Sequence, residues 1–245
     1  MQHTIFKKMI APEKQKTLLV VGRTNFHKSS LVLEALIAAL HSFGITIISY
    51  ESQYTSISKA IHHELGIWDQ SRLSHLLKDR HRSRHLIRKA VKIFLRLKHP
   101  SRWRYFFSPS PKSTPGQAQD LRKFIRQLNK KNIIILSHSA GSIIASLVTD
   151  EPALKKIISF GYPFKNPDNH EEPYRTDHLK FITKPLFIIQ GRQDAYGGEN
   201  VKTRYTLSSC ISMMFTNDNH DYNSMSPEDY EVVLQRVRSF IEDPN

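Results

Sequence analysis

The stretch NIIILSHSAGSIIAS (132–146) sets one serine, Ser139, between an apolar run of strand length and an apolar helical run, with no loop between them. A turn that tight holds its apex residue in a strained conformation, lifts the hydroxyl clear of the backbone and demands small residues two positions to either side. Ser137 and Gly141 occupy those positions. A serine presented in this way attacks a carbonyl carbon once a base removes its proton. Two downstream loops offer the partners. PLFIIQGRQDAYGG places Asp194 just past a second apolar run, and ISMMFTNDNHDY places His220 just past a third.

Each residue has an ordinary reading of its own. A serine after a strand and before a helix is a common N-cap, an Asp in a Gly-bounded loop is a common turn former, and a loop His is usually solvated. Their order weighs against coincidence. Nucleophile, acid and histidine follow the carboxyl ends of successive strands, the order of one large class of serine hydrolases. In that reading His220 takes the Ser139 proton and returns it to the leaving group, while Asp194 fixes the imidazole tautomer and stabilises its charge. The backbone N–H of Ala140 is the expected donor to the oxyanion.

Six apolar runs of strand length are available to position these residues: Thr17 to Val21, Ile45 to Tyr50, Asn132 to Ser137, Lys156 to Phe160, Pro185 to Gln190 and Ile211 to Phe215. Helical patterns separate most of them, including SSLVLEALIAALHSF, AQDLRKFIRQLNKK and PEDYEVVLQRVRSFIED. This alternation predicts an α/β fold with a mostly parallel, doubly wound sheet of about six strands. It breaks between Tyr50 and Gln117, where a stretch rich in His, Arg and aromatics ends in SPSPKSTPGQ, whose Ser and Pro content reads as a linker. The expected organisation is therefore a core of 1–52 and 111–245 with a basic, mainly helical cap inserted at 53–110.

The charge follows the same division. The 245-residue chain carries a formal +14, and Arg72 to Arg104 alone holds twelve Lys or Arg against one acid, Asp79, leaving only +3 for the remainder. Within it, RHLIRKAVKIFLRLK sets Ile87, Val91, Phe94 and Leu97 or Leu95 near one helical face and Arg84, Arg88, Lys92 and Arg96 on another. Two readings stay open. The helix covers the site and turns its charges to water, or its basic face recruits an acidic partner or an anionic membrane surface. Trp103, Tyr105, Phe106 and Phe107 suit an acyl pocket, an interface anchor or plain cap packing. Charge confined to one segment without a recognition module argues against nucleic acid. His75, His81, His85 and His99 lack metal-ligand spacing and read as surface residues.

The one cysteine, Cys210, has no Cys or His neighbours at ligand spacing, so it reads as a small buried hydrophobe rather than part of a disulfide framework or zinc site. The N-terminal MQHTIFKKMIAPEKQK has no signal-like apolar stretch and no run approaches a membrane span, which sets the expectation of a cytoplasmic protein. No metal or organic cofactor is called for.

The whole set resembles the α/β-hydrolase superfamily, over nearly all of the chain except the insertion. ISFGYPFKNPDNHEEPYRTDHLKFITKPLFIIQGRQDAYGG is similar to a dienelactone-hydrolase-like branch that includes a testis-expressed hydrolase-like family. The shared features are Tyr162 with Pro163, Arg175 with His178 and Leu179, Pro185, and Gly191 with Asp194. In that family the first strand usually ends in His-Gly, followed by a second oxyanion donor; here Val21 stands before Gly22, and the donor falls by position on the backbone of Arg23 or Thr24. The resemblance implies a serine esterase or thioesterase acting on a small-molecule substrate. The alternative is a non-catalytic protein of the same fold that binds an acidic partner or membrane surface through the insertion.

Overall fold

The computed structural model describes residues 16–22, 30–68, 81–103, 107 and 113–244. Six strands form one all-parallel sheet: β1 (Thr17–Val21), β2 (Thr46–Tyr50), β3 (Ile133–His138), β4 (Leu154–Phe160), β5 (Leu186–Gly191) and β6 (Ile211–Thr216), in the order β2-β1-β3-β4-β5-β6. The helices are α1 (Leu31–Ser42), α2 (Gln53–Trp68), α3 (His81–Leu97), α4 (Thr114–Gln127), α5 (Ala140–Ser146), the short α6 (Val201–Arg204) and α7 (Pro227–Glu242).

Alternation along the strands distributes the helices over both faces. Leu18, Ile134, Leu136, Ile158, Phe160, Phe187 and Ile189 point to one side, where Leu33, Leu36 and Leu40 of α1 and Val233, Val237 and Ile241 of α7 cover them. Leu19, Val21 and Ile135, one residue out of phase, are equally buried on the other side. There α5 packs on β1, β3 and β4, and Phe124 of α4 meets Tyr50, a register partner of Val21, with ring centroids 5.2 Å apart. The doubly wound parallel sheet is thus the one the apolar runs imply.

Several details differ from the sequence reading. Asn132 has φ 59°, a left-handed conformation that cannot extend a strand, so β3 starts one residue later. Part of the expected linker is helical. α4 begins at Thr114 and takes in Pro115 and Gly116, which a first helical turn tolerates because its N–H groups have no intrahelical acceptor. Cys210, expected to be buried, is only half-buried in the turn just before β6.

The described residues fall into two compact units, one comprising the chain up to Tyr50 with Arg122–Asn245, the other Glu51–Leu121. The first holds the sheet. In the second, α2 and α3 pack through Ile61, Leu65 and Leu95, with Ile57 and Val91 alongside. Leu95, not Leu97, takes the inward position. Arg102 ends this pair: its guanidinium donates to the Leu95 carbonyl at 2.8 Å and pairs with Glu64, which holds that carboxyl below its ordinary range. Tyr105, Phe106, His75 and the side chains of Arg84, Arg88, His81 and His85 lie outside the described residues.

Candidate active site

The sheet order reverses between β1 and β3, and open α/β sheets bind ligands outside the carboxyl ends of their strands at such a switch point. Ser139 sits there, directly past β3, with φ 54° and ψ −128°. Its N–H donates to the Phe160 carbonyl at 3.0 Å, and its carbonyl accepts from the Ser142 N–H at 2.8 Å. Both backbone bonds clamp the strained apex. The hydroxyl caps nothing on α5.

Small neighbours make the turn feasible. A Cβ on Gly141 would lie 2.5 Å from the Val21 carbonyl oxygen and 2.8 Å from that of Gly22, so only glycine lets α5 start against the end of β1. Ser137 is buried, and its hydroxyl donates to the Ile158 carbonyl at 3.1 Å, which satisfies the polar group introduced at that position.

The Ser139 Oγ lies 2.8 Å from Nε2 of His220, and Nδ1 of the same ring lies 2.8 Å from Oδ2 of Asp194. An ionised carboxylate only accepts, so Nδ1 carries the ring proton and Nε2 presents its lone pair to the serine hydroxyl. The Asp194 side chain is fully shielded from solvent, and two further donors hold it: the Gln190 amide at 2.7 Å on Oδ2 and the Tyr196 N–H at 2.8 Å on Oδ1. The structure therefore brings together all three side chains singled out in the sequence. The Ala140 amide opens α5 and has no intrahelical acceptor. Arg23 and Thr24 lie outside the described residues.

Four contributors carried no recognisable signal in the sequence. Gln190, wholly buried on β5, braces both Asp194 and the Gly197 carbonyl at 2.7 Å. Tyr196 lays its ring against His220, centroids 4.4 Å apart and planes 34° from parallel. His138 donates from Nε2 to the His220 carbonyl at 3.2 Å. Gly161, at φ 55°, lets the end of β4 pass His220: a Cβ there would come within 3.1 Å of Nδ1.

A second Ser–His contact exists and has another character. Nε2 of His178 lies 2.7 Å from the Ser146 hydroxyl, but that hydroxyl donates its own proton to the Ile143 carbonyl at 2.8 Å, so His178 is the donor. Burial pushes the imidazole pKa down, keeping it neutral. Tyr162, buried and with its pKa pushed up by desolvation, donates to the Arg175 carbonyl at 2.6 Å. The Tyr-Pro and Arg-x-x-His residues thus tie the segment after β4 to α5.

Beside the elbow, Val20, Gly22, Leu33, Ile37, Leu136 and His138 are among the residues lining a mainly apolar cavity of about 150 Å³. Among the described residues no three His, Cys, Asp or Glu side chains converge as a metal site.

A family profile described as "Alpha/beta hydrolase domain" matches residues 108–242, more than half of the chain. The chain belongs to the alpha/beta hydrolase family. The match takes in α4 to α7, the part of this alpha/beta hydrolase that carries Ser139, Asp194 and His220. No curated protein matches it in sequence. Solved structures share its fold at low identity. A hydrolase from Oleispira antarctica has 14% identity and a TM-score of 0.55, covering 94% of this chain and 92% of its own. An alpha-beta serine hydrolase homologue from Coxiella burnetii has 14% identity and a TM-score of 0.54, covering 91% and 85%. Est1E from Butyrivibrio proteoclasticus has 13% identity and a TM-score of 0.52, covering 94% and 88%.

Proposed function

We propose that this alpha/beta hydrolase is a serine hydrolase that cleaves a carboxylic ester or thioester through an acyl-enzyme on Ser139. The observation that carries the reading is the continuous relay from Ser139 Oγ through both nitrogens of His220 to buried Asp194, each link 2.8 Å. In the first half-reaction His220 accepts the Ser139 proton as Oγ bonds to the carbonyl carbon. The resulting imidazolium gives that proton to the departing alcohol or thiol as the carbonyl–leaving-group bond breaks. In the second, His220 takes a proton from water, the hydroxide adds to the acyl carbon, and the proton returns to Ser139 Oγ as the acid leaves. The Ala140 amide supplies one oxyanion donor, and the backbone of Arg23 or Thr24 supplies the other.

The likeness to the dienelactone-hydrolase-like branch is carried by the sequence features Tyr162 with Pro163, Arg175 with His178, and Gly191 with Asp194. It is supported by Tyr162 donating to the Arg175 carbonyl and His178 to Ser146 of α5. The small volume of the apolar cavity beside Ser137 and His138, about 150 Å³, supports a short acyl group over a long one. A series of p-nitrophenyl esters and acyl thioesters of increasing chain length tests the reading. The expected outcome is turnover that peaks at short chains and vanishes in folded Ser139→Ala. Turnover that persists in Ser139→Ala would contradict it.

A further inference from the structure

We propose that the outer face of α3, with Trp103 beside it, is a docking surface for an anionic lipid bilayer. The apolar arc of α3 is wider than its partner helix can cover. Val91 and Leu95 face α2, yet the pattern continues around the helix through Ala90, Ile93 and Leu97, spaced i, i+3 and i+7. Ile93 is 39% exposed and Leu97 41%. Trp103 is 48% exposed and held at the end of this stripe by its indole N–H, which donates to the Leu97 carbonyl at 2.9 Å. An amphipathic indole fixed next to an aliphatic stripe matches the position such rings take at headgroup level.

The charge on the same helix selects the kind of membrane. The sequence of α3 carries six Lys or Arg and no acid in 17 residues. Lys89 and Lys98 are exposed and Lys92 partly so, and none of these three ammonium groups is paired with a carboxylate among the described residues. Arg102 differs, since Glu64 neutralises it. A helix with Lys on its polar side, aliphatic and aromatic groups on the other and low net hydrophobicity lies in the interface plane of anionic bilayers. A second copy of the chain fits this face poorly, because it would set +11 segments against each other. An acidic protein would use the lysines and leave Ile93, Leu97 and Trp103 unexplained.

The test uses the full chain and does not depend on the hydrolase reading, since Ser139→Ala must bind vesicles as the wild type does. In Trp68→Phe, Trp103 becomes the only tryptophan. Vesicles containing about a third phosphatidylglycerol should shift its emission to the blue and co-sediment the protein at least about tenfold better than phosphatidylcholine alone. Molar salt should remove most of the preference. Ile93→Ser with Leu97→Ser should abolish binding with the circular dichroism spectrum unchanged. Because those serines lie on the outer face, Lys89→Gln with Lys92→Gln provides an independent check and should also weaken binding. Equal binding to neutral and anionic vesicles, no binding to either, or binding indifferent to the Ile93 and Leu97 substitutions would overturn the proposal. Salt-sensitive binding to poly-glutamate without vesicle binding would overturn it in favour of an acidic protein.

Discussion

The ring of Tyr196 lies against the imidazole of His220 with centroids 4.4 Å apart, while the N–H of the same residue holds Oδ1 of Asp194 at 2.8 Å. One residue thus touches the imidazole by its ring face and the carboxylate by its backbone. In the proposed mechanism the imidazole becomes a cation, and an aromatic face near a cation stabilises it by about 1 kcal/mol. Tyr196→Leu should lower kcat about fivefold with little change in KM, and Tyr196→Phe should retain near-normal kcat. Steady-state kinetics on one ester checks both.

Asp194 accepts from His220, Gln190 and the Tyr196 amide. Asp194→Asn keeps the volume but offers an amide where the site requires an acceptor, so the imidazole loses the tautomer that serves Ser139. A fall in kcat of about 10³- to 10⁴-fold is expected without loss of fold. Gln190→Ala should cost less, because it removes one brace and leaves the relay in place. Comparing the two kcat values tests the order.

Gly141 meets the backbone of β1 rather than a movable side chain. Gly141→Ala should therefore destabilise the protein by about 1–3 kcal/mol and displace the elbow. Urea denaturation reads the first effect and ester turnover the second. A variant with wild-type stability would contradict the close approach.

His178 gives a pH dependence of stability that is independent of catalysis. Burial, opposed in part by Asp177, lowers its folded pKa below the ordinary 6.5, so the unfolded chain binds the proton more readily. The stability this neutral imidazole contributes is present above about pH 6.5 and drains away as pH falls towards the lower folded value. His178→Gln, which keeps a donor for Ser146, should flatten that loss. Urea unfolding at a series of pH values is the measurement.

Much of this was legible because the signals are local. The strands declare themselves as apolar runs, and a strand that meets a helix at Ser139 without a loop leaves the serine few conformations. Asp194 and His220 could be placed because parallel topology sends every strand end to the same edge. Gln190, Tyr196, His138 and Gly161 were not legible. Their importance lies in which way a side chain or a missing Cβ faces across strands far apart in sequence, and no spacing rule encodes that. Thr114 to Gly116 misled for a related reason: Pro and Gly oppose a helix interior but not its first turn. The α3 stripe was seen as one face, whereas α2 covers only the side that carries Leu95.

The relay centred on His220 makes one demand above the rest, that Ser139 be the nucleophile. Intact-mass spectrometry after exposure to a fluorophosphonate measures this directly. The predicted result is a single adduct that maps to Ser139 and is absent from Ser139→Ala with an unchanged circular dichroism spectrum. A folded wild-type protein that takes up no adduct, or one labelled at Ser146 instead, would contradict the account.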